Sequence, residues 1–98
     1  MALRTYPPLP GSIVRRKIID AMRVRQADLA EAMGVSKVRI NQIINGHAPI
    51  TPEMALRLGT VTATEPEYWL RLQSDFELFE ARRRLAPLLE TLPRLSAR

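Results

Sequence analysis

Apolar residues recur at intervals of three and four along almost the whole chain, and no alternating run of strand length stands out, so the pattern predicts an all-α domain. Tyr6 to Pro10 contains three prolines and reads as an extended arm. Gly11 or Ser12 then opens a helix whose Val14, Ile18, Ala21 and Met22 share one face, with Arg15, Arg16 and Lys17 off that stripe. A second helix spans about Gln26 to Met33 and stops at Gly34; a third has Ser36 as its N-cap and ends near Asn45 and Gly46. Thr51 followed by Pro52 predicts the cap and first position of a fourth helix over roughly Pro52 to Leu58, frayed by Gly59. Thr64 and Glu67 have capping-box spacing and open a fifth helix over 65–84, the longest, with Trp69, Leu72, Phe76 and Phe79 along one flank. Pro87 and Pro93 break up the remainder of the chain. The organisation expected is an arm (1–10), a helical domain (11–84) and a C-terminal tail (85–98).

The segment from Gln26 to Asn45, QADLAEAMGVSKVRINQIIN, has the requirements of two short helices crossing steeply. A small residue is needed where the backbones approach, and Ala30 stands there. A turn residue tolerant of positive φ is needed between them, and Gly34 supplies it. Leu29, Met33, Val35, Ile40 and Ile43 then bury themselves between these helices and the first. The motif is a helix-turn-helix, and its second helix, when it acts on DNA, enters the major groove with its first turns. The fold expected is a five-helix helix-turn-helix domain with a longer fifth helix and a short tail.

Charge sharpens that reading. The net +5 comes entirely from residues 1–50, where eight basic residues face three acidic ones, while residues 51–98 balance at seven each. A basic half suits a polyanion, because each phosphate neutralised releases condensed counterions; a plain solvated surface carries the same charge count. The first turns of the third helix add specific chemistry. Lys37 can donate to guanine O6 and N7, Asn41 and Gln42 can pair with adenine N6 and N7, and Val38 can touch a thymine methyl, so these four are the candidate base readers. Gln26, Ser36, Arg39 and Asn45 sit at helix ends and flanks and are the candidate phosphate contacts. His47, in the following loop, reads as a solvent or phosphate neighbour.

Other functions find little footing. With no cysteine there is neither a disulfide framework nor a thiolate metal cluster, and no metal site or cofactor is expected. One histidine, no phosphate loop and no paired carboxylates on a cleft leave no catalytic constellation, so no catalytic residue and no enzyme are expected. The start MALRTYPPLPG lacks a signal-peptide core and no apolar run reaches about 18 residues, so a soluble cytoplasmic protein without membrane contact is expected. A helix-turn-helix of this size meets too little of one half-site to bind it tightly, and a two-fold dimer matches half-sites about 34 Å apart on a palindromic double-stranded operator. Leu72, Phe76 and Phe79 on the fifth helix are the candidate dimer interface, with Phe76 and Phe79 equally suited to the core. The acidic residues Glu65, Glu67, Asp75, Glu77 and Glu80 are either a docking face for a basic partner or a solvated surface.

Over about residues 9–80 the chain resembles the Xre and lambda-repressor-like helix-turn-helix superfamily, and within it the HigA-type antitoxins. Beyond the motif, the resemblance lies in Pro10 and Gly11, Asn45 and Gly46 followed by Ile50 and Thr51, Ala55, Leu56 and Leu58, and above all PEYWLRLQSDFEL from Pro66 to Leu78. Where relatives often have histidine and glutamate around the Pro-Gly pair, this chain has Leu9 and Ser12. The resemblance implies a homodimeric antitoxin that represses its own toxin–antitoxin operon and neutralises a HigB-type mRNA-cleaving toxin. The alternative is a stand-alone Xre-type transcriptional regulator without a toxin partner; a pure interaction module that has lost DNA binding is a third reading.

Overall fold

Leu9 enters α1 in extended geometry, and Pro10 at the first helical position needs no amide partner, so the helix starts there, one residue before the glycine. The computed structural model describes residues 6–96, so Met1 to Thr5 of the arm and the last two residues of the tail lie outside it. The elements are α1 (Pro10–Val14), a π-helical continuation of it (Arg15–Asp20), α2 (Gln26–Met33), α3 (Lys37–Ile44), α4 (Pro52–Thr62) and α5 (Pro66–Leu89). Counting α1 and its π-helical continuation as one, the described residues form five helices and no strand, and α5 is the longest.

The π-helical turn corrects the register read for the first helix. Ile13, Val14 and Ile18 are buried, whereas Ala21 and Met22 are exposed, Met22 at 49%. The Ala21 amide reaches back five residues to Arg16 O at 3.1 Å, and the Val24 amide to Ile19 O at 3.2 Å. Each such bond takes in one residue more than an α-turn, so a period of 3.6 carried forward from Val14 and Ile18 lands in solvent. The segment closes at Arg23, which has a φ of 57°.

The helix-turn-helix follows its local chemistry. Gly34 takes the left-handed conformation at φ 72°, letting the Val35 amide bond Ala30 O at 3.0 Å and the Gly34 amide bond Glu31 O at 3.1 Å. Ser36 caps α3, its Oγ accepting the Arg39 amide at 3.0 Å. Leu29, Ala30 and Met33 of α2 meet Ile40, Ile43 and Ile44 of α3 in one buried cluster, with Val35 half-buried against it. α1 closes on this pair through Gly11, where a Cβ would stand 2.5 Å from Ile44 O and would also strike Ile43 O. The glycine is there for close approach.

The fourth helix runs longer than its sequence signals predict. Thr51 caps it, accepting the Met54 amide at 3.2 Å, but Gly59 is buried within it and Ala63, at φ 56°, ends it. At Gly59 the chain folds back so tightly that a Cβ would lie 2.6 Å from Thr64 O. The capping box expected of Thr64 and Glu67 does not form. Glu65 is the N-cap of α5 and gives no side-chain cap bond. Thr64 Oγ1 instead accepts the indole Nε1–H of Trp69 at 2.7 Å and lies 2.8 Å from Thr62 Oγ1. Thr62 gives its own proton to Leu58 O at 2.7 Å, so Thr64 is the donor between the two threonines.

α5 continues through Pro87, where the sequence predicts a break. The proline falls in the final turn, where the bond it cannot make involves only the carbonyl of Arg83, an exposed residue. Trp69 is the single buried residue of this helix. Leu72, Phe76 and Phe79 are half-buried against their own chain: Leu72 packs on the core, and the ring of Tyr6 meets Phe79 edge-on at 5.0 Å. Gln73 ties α5 to the loop after α3, its Oε1 accepting the Ile50 amide at 2.9 Å.

Candidate nucleic-acid interface

Burying Ile40, Ile43 and Ile44 leaves the opposite side of α3 facing out, because these positions fill the inward arc of two helical turns. Lys37, Val38, Asn41 and Gln42 all stand on that exposed side, with Val38 at 66% exposure, where an isolated valine has nothing of its own chain to cover it. Arg39 and Asn45 are exposed beside them, Ser36 is exposed at the cap, and Gln26 is half-buried at the start of α2.

Three of these side chains form one amide chain. Asn41 Nδ2 donates to Gln26 Oε1 at 3.3 Å, and Asn45 Nδ2 donates to Asn41 Oδ1 at 3.1 Å. Asn41 therefore keeps one N–H and one lone pair for an external partner, and Gln26 keeps its whole amide group as a donor. Gln42 holds no such side-chain bond among the described residues; its carbonyl receives the amides of His47 at 2.7 Å and Ala48 at 3.2 Å, which shape the exposed loop carrying His47. Lys37 and Arg39 form no ion pair among the described residues, and Ser36, having accepted the Arg39 amide, still has its hydroxyl proton to give. The arrangement offers cations and amide donors on one convex surface, with a methyl-bearing side chain among them.

An arginine outside the predicted site braces this surface, and a second forms a local pair at the start of α2. Arg57, from α4, donates through Nη1 to Met33 O at 2.7 Å and to Gly34 O at 3.4 Å, clamping the turn between α2 and α3, and pairs through Nη2 with Glu53 Oε2 at 3.0 Å. The contact spans 24 residues, so no local spacing announces it. Arg25, just ahead of α2, donates through Nε and Nη2 to the two oxygens of Asp28 at 3.1 and 3.2 Å. That hydrogen bonding holds the Asp28 carboxyl below its ordinary range and raises Arg25. The spacing of three residues within one turn was the available signal.

Among the described residues no group of three or more histidines and carboxylates could hold a metal ion, and no helix is long and apolar enough to cross a membrane.

The helix-turn-helix family model matches residues 16–69, more than half of the chain. The chain belongs to the helix-turn-helix family. Its relatives include the HTH-type transcriptional regulator YddM of Escherichia coli (strain K12), 35% identical over 74 residues that make up 76% of this chain and 78% of that protein. Antitoxin HigA-1 of Vibrio cholerae is 31% identical over 78 residues, 80% of this chain and 73% of its own. Among solved structures, the Pseudomonas aeruginosa antitoxin HigA with higBA promoter superposes with a TM-score of 0.86 at 30% identity, covering 92% of this chain and 99% of that one. The likeness to HigA antitoxins and the five-helix helix-turn-helix fold with a longest fifth helix, both read from the residues, stand confirmed. These relatives are named as regulators and antitoxins, not enzymes.

Proposed function

We propose that this helix-turn-helix protein is a HigA-type antitoxin that binds a palindromic operator as a homodimer, represses its own toxin–antitoxin operon and neutralises a HigB-type mRNA-cleaving toxin. The observation that carries the DNA half of this reading is the outward side of α3, where Lys37, Val38, Asn41 and Gln42 stand together without cover. On this reading Lys37, Gln42 and the remaining donor and acceptor of Asn41 read base edges, and Val38 meets a thymine methyl. Gln26, Ser36, Arg39 and Asn45 set register on the phosphates. The Pseudomonas relative supports it, since its structure contains promoter DNA. Toxin neutralisation rests on the HigA likeness, and dimerisation through α5 on the two-fold logic of half-sites, with Leu72, Phe76 and Phe79 as its first candidates.

A stand-alone regulator is the second reading, favoured by the regulator name of YddM. The deciding experiment has two parts. Titration of the protein into DNA from upstream of its gene, beside a scrambled duplex at two salt concentrations, is expected to show a preference of at least tenfold, on the order of specific binding by such motifs. Equal, salt-sensitive binding to both duplexes overturns the operator reading. Co-purification of a neighbouring gene product whose toxicity this chain relieves separates antitoxin from regulator.

A further inference from the structure

The connection between α3 and α4, from Asn45 to Ile50, is held at both ends and open along its outer side. At its start, Gln42 O accepts the amides of His47 and Ala48, and Asn45 Nδ2 donates to Asn41 Oδ1 at 3.1 Å. Gly46 has a φ of 80° with nothing within 4 Å of where a Cβ would stand, and His47 is exposed. At the far end Pro49 has no N–H to give, and the connection is fixed by the amide of Ile50, which donates to Gln73 Oε1 at 2.9 Å. Among the described residues this is the one hydrogen bond between the connection and α5. Beside it the two flank a cleft lined by Leu9, His47, Pro49, Gln73, Phe76 and Glu77.

Glu77 decides which way the Gln73 amide faces. Gln73 Nε2 donates to Glu77 Oε2 at 2.9 Å, one turn further along α5. A carboxylate only accepts and the Ile50 N–H only donates, so the glutamine amide has a single orientation that serves both. With its nitrogen taken by Glu77, its oxygen is aimed at Ile50. When the side chain is shortened, water from the cleft can take its place as acceptor, but water fixes no position relative to α5. Loss of the bond therefore costs the connection its placement more than it costs the domain its fold. A displaced connection carries Asn45 with it, and Asn45 is bonded to Asn41 on the outward side of α3.

We infer that Gln73, aimed by Glu77, is a positioning residue for operator recognition: from α5 it holds the α3–α4 connection so that Asn45 keeps its place on a phosphate and Asn41 its register on a base. The inference rests on the operator reading above and adds to it two residues that lie beyond the segment matched by the helix-turn-helix family model. Both act through Ile50 and not by touching DNA.

Titration of the full chain into the upstream duplex and into a scrambled one, at matched salt, tests it through the ratio of the two affinities. A variant that is merely less stable has fewer active molecules for both duplexes, so its ratio stays that of the wild type. Gln73→Ala is expected to cut the preference by about fivefold or more with helical circular dichroism unchanged. Gln73→Glu alone is expected to do the same, since it sets a second carboxylate against Glu77. Combined with Glu77→Gln it is expected to restore the preference, because the exchanged carboxylate accepts both the Ile50 amide and the exchanged side-chain amide. A wild type without preference defeats the operator reading itself, and the inference with it. A wild type with preference that Gln73→Ala retains overturns the inference alone. So does a double exchange that folds but discriminates no better than Gln73→Glu, which decides the matter even where the alanine variant fails to fold.

Discussion

The indole of Trp69 donates to the hydroxyl of Thr64 at 2.7 Å, and the same hydroxyl donates onward to Thr62, so the most buried large side chain of the domain is held by a bond to the turn before its own helix. Removing the acceptor strands a buried donor. Thr64→Val is therefore expected to destabilise the fold by about 1–3 kcal/mol. Urea unfolding followed by the fluorescence of this single tryptophan measures it, and Thr64→Ser is expected to return most of the loss.

Arg57 and Met33 define a second relation of this kind. Arg57→Ala withdraws a charged donor from the carbonyl that ends α2, an expected cost of about 1.5–3 kcal/mol. The accompanying Glu53 pair is exposed and adds little. Amide exchange at Gly34 and Val35 is expected to speed up in this variant, and Arg57→Lys to repair only part, since one ammonium nitrogen cannot hold the carbonyls and Glu53 at once as Nη1, Nη2 and Nε do.

Two glycines separate crowding from backbone strain. Gly11→Ala drives a methyl into the backbone carbonyls of Ile43 and Ile44, which cannot step aside, and about 3 kcal/mol or more is expected. Gly46→Ala meets nothing within 4 Å and carries only the cost of φ 80°, about 1–2 kcal/mol. Thermal unfolding of the two variants side by side checks the order.

On DNA, Gln42→Ala is expected to relax preference at one base position, with about 1–3 kcal/mol of discrimination lost. Arg39→Ala is expected to weaken specific and scrambled duplexes alike and to lower the salt slope by about one. Identical behaviour of the two variants in the same titration moves the recognition face elsewhere.

Asp28 supplies a pH signature. Its carboxyl is held low by the hydrogen bond from Arg25, so the contribution of the pair is complete above the ordinary aspartate range and fades as pH falls through the depressed folded value. A carbon-detected NMR titration is expected to place Asp28 below an unpaired aspartate, and Arg25→Ala to return it toward the ordinary range.

The parts of this domain that are legible in its sequence are those whose cause is local. Ser36, Gly34 and Thr51 each act within a turn of where they stand, and the buried residues of α2 and α3 follow a regular period, so residue type and spacing suffice. Expectation and structure part where the cause is distant or the period changes. A π-helical turn displaces Ala21 and Met22 into solvent, and Thr64 is claimed by an indole five residues on before it can cap. Arg57 and Gln73 act across 24 and 23 residues, and a lone polar side chain gives no sign of which carbonyl or amide it will reach. On the α3 surface, residue types are readable, but the amide chain that commits one donor and one lone pair of Asn41 needs the placement of Gln26 beside it.

A helix of 24 residues that surrenders only one of them to the interior is a long shaft on a short footing. Its last turns are mostly exposed, so substitutions there are expected to cost less than one at Trp69. Residues along those exposed turns can therefore change one by one while the domain beneath goes on folding as before.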